Sequence, residues 1–384
     1  MSGERGPAGK SGPAEERTME PKNEEPGERE VPLSDWRRTV RRDMADIREF
    51  YLDGEQKARL EKMGRIRRGL YLAGWLLKSL FLKLTPLRRV LFVAALYFLL
   101  VPRLSLTLGG VGISLRLIQL GGLLLVFVLM LELKDKLLAR NELAEGRAIQ
   151  QRLMPDPSPD IPGWDAWLFS RPANDVGGDL VDCIRFAADH HVLVLGDVSG
   201  KGLPAALLMV KLQASIRALC TEATPLADLG AQINRVFRRD GISSSFATLV
   251  VLDVRGDDGR VRLLNAGHTP PVVVRGGVPR PVAKGEPALG LLDDTGYSVA
   301  EEALGEGEAL LVYSDGINEA RNAQGECFGN RRLLERIAAG PLAGAEAMGR
   351  AMLGAVQEFL GEVRPDDDQT ILILRRREKN DGNS

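Results

Sequence analysis

The sequence predicts an α+β protein, an antiparallel β-sandwich with helices packed outside it, preceded by a pair of apolar helices. Three observations lead there. The C-terminal two thirds carries short apolar runs of strand length, WDAWLFS, HVLVLGD, FATLVVLDV, VRLLNAG, PPVVVR, ALLVYSD and TILILRR, each bounded by Gly, Pro or Asp. Longer stretches of helical composition stand among them: LPAALLMVKLQASIRALC (203–220), PLADLGAQINRVFRR (225–239) and AGAEAMGRAMLGAVQEFLGEV (343–363). Strands follow one another in series, with helices in pairs, so the regular alternation of a doubly wound parallel sheet is missing. Gly-Asp-Asp-Gly between VVLDVR and RVRLL marks one hairpin.

Composition limits the chemistry. The chain has 384 residues and a net charge of −1, so no basic field points to nucleic acid. Its three cysteines, Cys183, Cys220 and Cys327, are far apart, which fits neither a disulfide framework nor a zinc spacing. With three histidines in all, metal chemistry would fall to acidic residues.

Along the chain, residues 1–34 are polar and Gly/Pro-rich and read as a disordered tail without the apolar core of a signal peptide. Residues 35–86 read as amphipathic helix, and GLYLAGWLLKSLFLKL (69–84) as an interfacial segment of a membrane. Two apolar runs, RRVLFVAALYFLLVPR (88–103) and RLIQLGGLLLVFVLMLELKDK (116–136), make 87–133 a candidate transmembrane helical hairpin turning at Gly109-Gly110. A buried helical pair is the alternative. Lys78, Lys83, Arg88 and Arg89 precede it, Lys134, Lys136 and Arg140 follow, and Arg103 and Arg116 lie between. This bias expects a multi-pass protein of the inner (cytoplasmic) membrane with both ends in the cytoplasm. Residues 134–154 read as a linker helix ending before Pro155, with Leu133, Leu137, Ala144 and Ala148 as a modest homodimer seam and Gly146 as its weak point. A globular domain covers 155–376, and 377–384 form a second disordered tail.

Four acidic strand ends stand out in that domain. Asp179 follows two glycines in VGGDLVD, Asp197 ends the run VLVLGDVSGKG, Asp315 ends LLVYSDG, and Asp366, Asp367 and Asp368 precede TILIL. Singly, each is an ordinary acidic turn. Brought to one rim, they would repel one another unless a cation offset the charge, and all-oxygen ligation favours Mg²⁺ or Mn²⁺. GDVSGKG is not a phosphate loop: it is one residue short before Gly-Lys, and Gly202 stands where Ser or Thr is needed.

In order and combination, PANDVGGDLVD, GDVSGKGLPAALLM, FATLVVLD, NAGHTPP, LVYSDGINEARNAQGECFG and DDDQT resemble the bacterial SpoIIE-like branch of the metal-dependent, type 2C-like (PPM) Ser/Thr protein phosphatases, over about residues 145–376. AIQQRLMP resembles the helix end that opens that family's catalytic domain. The resemblance implies a four-layer α-β-β-α sandwich, two antiparallel sheets flanked by helices. It implies two Mn²⁺ or Mg²⁺ ions held by Asp179, Asp197, Asp315, Asp367 and the backbone carbonyl of Val198, and hydrolysis of phosphoserine or phosphothreonine by a water activated between them. On this reading Gly316 is a glycine because an ion fills the space above the strand end.

Around that set, Asp182, Asp366 and His268 are candidates for holding ligands or water, with a turn role for His268 as the alternative. Arg171 is the candidate phosphate contact, and Lys201 is read as capping the GKG turn. Leu180-Val181 departs from the family, which has two aromatics there; this expects altered substrate contacts. The resemblance further implies signalling by partner switching, with a phosphorylated anti-anti-sigma-type regulator as substrate. The rivals are a catalytically silent regulator that binds a partner and a metal-stabilised structural domain.

Overall fold

A computed structural model describes residues 63–101, 103–108, 111–240, 245–256, 258–339 and 344–378. The expected tails, most of the 35–86 segment and the Gly109-Gly110 turn therefore lie outside the described residues. The chain divides into two compact units, Met1–Leu131 and Glu132–Ser384.

In the first unit, α1 (Arg65–Lys83) and α2 (Pro86–Leu100) meet at Thr85-Pro86. The Arg89 guanidinium donates to the carbonyls of Phe81, Leu82 and Leu84, groups that the end of α1 leaves without helical partners. An antiparallel ribbon follows, β1 (Arg103–Leu108) with β2 (Val111–Arg116), and then the 37-residue α3 (Leu117–Leu153). α2 and α3 approach closely where a Cβ on Gly121 would stand 2.9 Å from the Ala95 carbonyl oxygen.

The expected pair of spans is thus seen only in part. α3 is the one described helix long and apolar enough to cross a membrane, with a mean hydropathy of 2.0 in its apolar window. α2 has 15 residues, about 22 Å at 1.5 Å per residue against a hydrocarbon core of about 30 Å. Two local signals shorten it. Pro102 disfavours helix in the residue before it, and LSLTL and VGISL alternate with a period of two, which suits strands. The linker helix expected at 134–154 is the continuation of α3 and not a separate element.

The second unit holds two five-stranded sheets. One has the order β10-β7-β6-β5-β4, with β4 Asp179–Ala187, β5 His190–Val198, β6 Ala247–Arg255, β7 Arg260–Ala266 and β10 Ala300–Ala303. The other has the order β3-β12-β11-β8-β9, with β3 Trp164–Arg171, β8 Val272–Arg275, β9 Val278–Pro281, β11 Ala309–Tyr313 and β12 Gln369–Arg376. Every named pairing in them is antiparallel.

Strand alternation builds the layers. On β5, Leu193 and Leu195 enter the core between the sheets, while Val192 and Val194 pack against α4 (Leu203–Leu219) and α5 (Leu226–Asp240). On β12, Leu372 and Leu374 face the inter-sheet core. Ile371 and Ile373 face the opposite helical layer, which includes α7 (Gly329–Ala338) and α8 (Ala345–Leu360). Burial on both faces explains why these strands read as continuous apolar runs. The four-layer order helix, sheet, sheet, helix follows.

Candidate active site

The rim begins with strand register. β4 and β5 pair so that Asp179 lies opposite Asp197 at the end of one sheet. Gly178 allows this rim to close: a Cβ there would stand 2.9 Å from the Val198 carbonyl oxygen and 3.2 Å from the Ala205 side chain. The Val198 carbonyl is therefore turned towards the start of β4, beside both aspartates.

The other sheet supplies Asp315 and the acidic run. β11 ends at Tyr313, and Asp315 opens the one-turn helix α6 (Asp315–Asn318). Ser314 locks this end to the acidic segment. Its N–H donates to the Thr370 carbonyl (3.0 Å), its hydroxyl donates to the Asp368 carbonyl (3.1 Å), and it accepts from Thr370 N–H (2.9 Å). Gly316 lies beneath that segment, where a Cβ would come within 1.9 Å of the Asp368 carbonyl oxygen. The expectation that an ion fills this space is corrected: the backbone of Asp368 fills it.

Asp368, passed over in the sequence, is buried and carries the junction between the sheets. Its carboxylate accepts N–H bonds from Ala173 (2.8 Å), Gly178 (2.7 Å) and Asp179 (3.4 Å). Asp367 beside it is half-buried and paired through Oδ2 with the Lys201 ammonium at 3.0 Å.

Charge at the rim is poorly compensated. Burial, followed by the neighbouring Asp197 and Asp368, raises the Asp179 carboxyl well above the usual carboxylate range. Burial and then Asp315, Asp367 and Asp368 push Asp197 up to about 7. Asp315 is raised by burial first and by Asp367 second. Asp179 Oδ2 is buried with no hydrogen-bond partner. Buried carboxylate oxygens ordinarily find one, so this atom is aimed where a donor or a cation belongs.

The donor set fits a hard divalent ion. It consists of carboxylates and a carbonyl, brings no sulfur or imidazole, and includes one oxygen without a partner. Among the described residues no three acidic, His or Cys side chains stand close enough in this conformation to enclose an ion, and Asp367 is turned to Lys201.

The pKa of Asp197 has a thermodynamic consequence. Its carboxyl titrates near 3.9 when unfolded and about 7 when folded. Between those values the folded protein binds more protons, so metal-free stability from this group falls as pH rises through the interval. His268 works in the opposite direction below about 6.5, because its folded pKa is lowered to about 4. The Asp197→Asn variant isolates the first effect. In EDTA its melting temperature is expected to gain on wild type from pH 5 to pH 8; a constant difference would show that Asp197 ionises normally.

Asp182 is fully buried and does not join the rim. Its carboxylate accepts two bonds from Arg217 (2.7 Å each) and one from Gln213 (3.2 Å), fastening α4 to β4. Asp366 is exposed and contributes its backbone carbonyl to Lys201 at 2.6 Å. Arg171 donates to the Gln369 side chain, which itself reaches the Gly316 carbonyl at 3.4 Å.

His268 ties β6, the neighbour of the strand that carries Asp197, to the end of β11. Nδ1 accepts from the Thr248 hydroxyl at 2.7 Å, and Nε2 donates to the Tyr313 carbonyl at 3.1 Å. Thr248 pairs with Asp197, and Tyr313 precedes Ser314-Asp315. Burial keeps the ring neutral, so it holds the strands and has no proton to give near neutral pH. Leu180 and Val181 are buried and point into the helix-side core and the inter-sheet core respectively. Lys201 does not cap its own turn. The sequence reading also missed Gln150, whose buried side-chain amide donates to the Gly177 carbonyl (2.8 Å) and accepts from its N–H (3.1 Å). Its only sequence signal is its place in AIQQRLMP.

Residues 187–377 match the family described as stage II sporulation protein E (SpoIIE). The globular domain is a SpoIIE-like member of the PPM phosphatase family. Protein IcfG of Synechocystis sp. (strain ATCC 27184 / PCC 6803 / Kazusa) is 27% identical over 274 residues, 64% of this chain and 43% of that protein. Phosphoserine phosphatase RsbU of Bacillus subtilis (strain 168) is 25% identical over 242 residues, 62% of this chain and 71% of RsbU. The chain spans less than half of IcfG. Among solved structures, the RsbU and RsbW domains of Rv1364c from Mycobacterium tuberculosis share the fold with TM-score 0.50 and 28% identity, over 57% of this chain and 61% of that one. The SiaA-PP2C domain of Pseudomonas aeruginosa does so with TM-score 0.55 and 20% identity, over 63% and 98%. In the SpoIIE-like domain the family match begins inside β4, so Asp179 lies just outside it and Asp197, Asp315 and Asp367 lie within.

Proposed function

We propose that the chain is a membrane-anchored, metal-dependent Ser/Thr phosphoprotein phosphatase in a bacterial partner-switching pathway. The observation that carries this reading is the buried, unpartnered Asp179 Oδ2, opposite Asp197 and within the field of Asp315, Asp367 and Asp368. Asp179, Asp197, Asp315, Asp367 and the Val198 carbonyl would hold two Mn²⁺ or Mg²⁺ ions. Such ions supply Lewis-acid activation of a water and offset charge on the phosphoryl oxygens. The protein's part is to fix the donors: Asp368 anchors the start of β4, Ser314 joins the strand end to the acidic run, and His268 sets the spacing between the sheets. The substrate would be a protein carrying phosphoserine or phosphothreonine, approaching on the side where Lys201, Asp366 and Asp367 are open to solvent.

The substrate class rests on likeness. RsbU is a phosphoserine phosphatase by name, and the solved Rv1364c chain joins an RsbU to an RsbW domain. A phosphorylated anti-anti-sigma-type regulator is the corresponding substrate here. The test is phosphate release from such a phosphoprotein by the full chain, with Mn²⁺ and with EDTA. Release only with metal is expected; binding of the phosphoprotein without release would favour the silent regulator.

Anchoring rests on α3, with α2 beside it and basic residues concentrated on the two outer flanks. Reporter fusions at Gly110 and Ser384 are expected to lie on opposite sides of the membrane. Both reporters on one side would mean that the pair lies in the interface without crossing.

A further inference from the structure

Lys201 sets a cation against the acidic rim. Its ammonium lies 3.0 Å from Asp367 Oδ2 and 2.6 Å from the Asp366 carbonyl oxygen. The turn between β5 and α4 delivers it there. Gly200 and Gly202, on either side, have φ of 111° and 71°, a region that β-carbon-bearing residues rarely occupy. A backbone bent twice in this way points the intervening side chain across the rim and away from its own turn.

The pair is open to solvent. The Lys201 side chain is 55% exposed and that of Asp367 45%, so water screens the contact and it exchanges readily. Lys201 nevertheless influences its neighbours: it is the cation that partly offsets the upward shift of Asp315, while Asp367, Asp366 and Asp368 hold its own proton more firmly.

We propose that Lys201 is a tethered counter-cation that competes with the divalent metal for Asp367 and thereby sets the metal concentration at which the site fills. This rests on the reading of the rim as a metal centre. Asp367 Oδ2 cannot give its full charge both to an ammonium at hydrogen-bond distance and to a metal ion. The ammonium also repels a second positive charge placed a few ångströms away. Filling the site therefore requires Lys201 to leave Asp367, and without metal Lys201 takes over part of the metal's task of offsetting carboxylate repulsion. No covalent step is involved; one cation replaces another.

The test is Mn²⁺ binding to the full chain in detergent, followed by titration calorimetry and by the loss of the free Mn²⁺ electron-spin signal. Lys201→Met keeps the length of the side chain and removes its charge, and is expected to lower the Kd for Mn²⁺ about three- to tenfold. Lys201→Arg keeps the charge and is expected to stay within about twofold of wild type. In EDTA the Lys201→Met protein is expected to melt below wild type and to recover with Mn²⁺. Lys201→Gln is read in the same way and stands in if the Met variant does not fold. Wild type that binds Mn²⁺ with a Kd equal to or tighter than that of Lys201→Met overturns this inference alone. Wild type that folds and binds no Mn²⁺ overturns the metal-centre reading and this inference together.

Discussion

Asp315→Asn is expected to lower Mn²⁺-dependent phosphate release about a hundredfold or more while leaving the metal-free protein at least as stable as wild type. The two halves of this result have one cause. Asn preserves the shape of Asp but carries no charge, so it is a poorer ligand for a hard divalent ion, and metal-assisted hydrolysis loses rate on that scale. In the metal-free protein, however, Asp315 is the neighbour that raises Asp197 most after burial itself. Removing its charge relieves repulsion that Lys201 offsets only in part when metal is absent. A residue needed only for folding would lose activity and stability together. Phosphate release and a thermal melt in EDTA, on the same preparation, separate the two cases. Full Mn²⁺-dependent release by Asp315→Asn would falsify its place in the centre.

Arg217→Met is expected to destabilise the globular domain by about 2–4 kcal/mol while activity per folded molecule stays near wild type. The Asp182 carboxylate is 1% exposed and receives two of its bonds from Arg217. Removing one partner of a buried pair leaves the other charge uncompensated, at a cost of about 3–5 kcal/mol when burial is complete. The Arg217 side chain is 53% exposed, so water reaches the vacated position and the lower range applies. For a domain of this size the melting temperature should fall by about 5–15 °C. The double variant Asp182→Leu with Arg217→Met should recover most of the loss, because an apolar pair replaces a buried charge. Loss of activity without loss of stability would instead return Asp182 to the reaction site.

These outcomes bear on what could be read from one dimension. The short apolar runs ALLVYSD and TILILRR identified β11 and β12, because run length and residue pattern along a strand are local properties that survive in the sequence. The order of acidic motifs identified the family, and with it the four-layer fold, and it made Asp179, Asp197, Asp315 and Asp367 the candidate ligands. The same local logic, applied to LSLTLGGVGISL, would have revealed the β1–β2 ribbon; the apolar runs on either side led to a reading as a hairpin of two helices.

Composition and motif order by themselves determined the class of protein, the candidate acidic residues and the apolar stretch that α3 carries. Tertiary structure alone decided how the donors are held. Asp368 became the anchor because three N–H groups from the Ala173–Asp179 segment converge on its carboxylate. Asp182 went to Arg217 because its position on β4 faces α4. Gly316 proved to be a glycine on account of a carbonyl group more than fifty residues away in the chain. Lys201 met Asp367 across the rim. Each is a contact between segments remote in sequence, and its energy depends on distances of a few ångströms that only packing of the two sheets establishes. A run of residue types records which groups are available; whether a carboxylate meets an arginine, an amide or a neighbouring carboxylate is settled when the chain closes on itself.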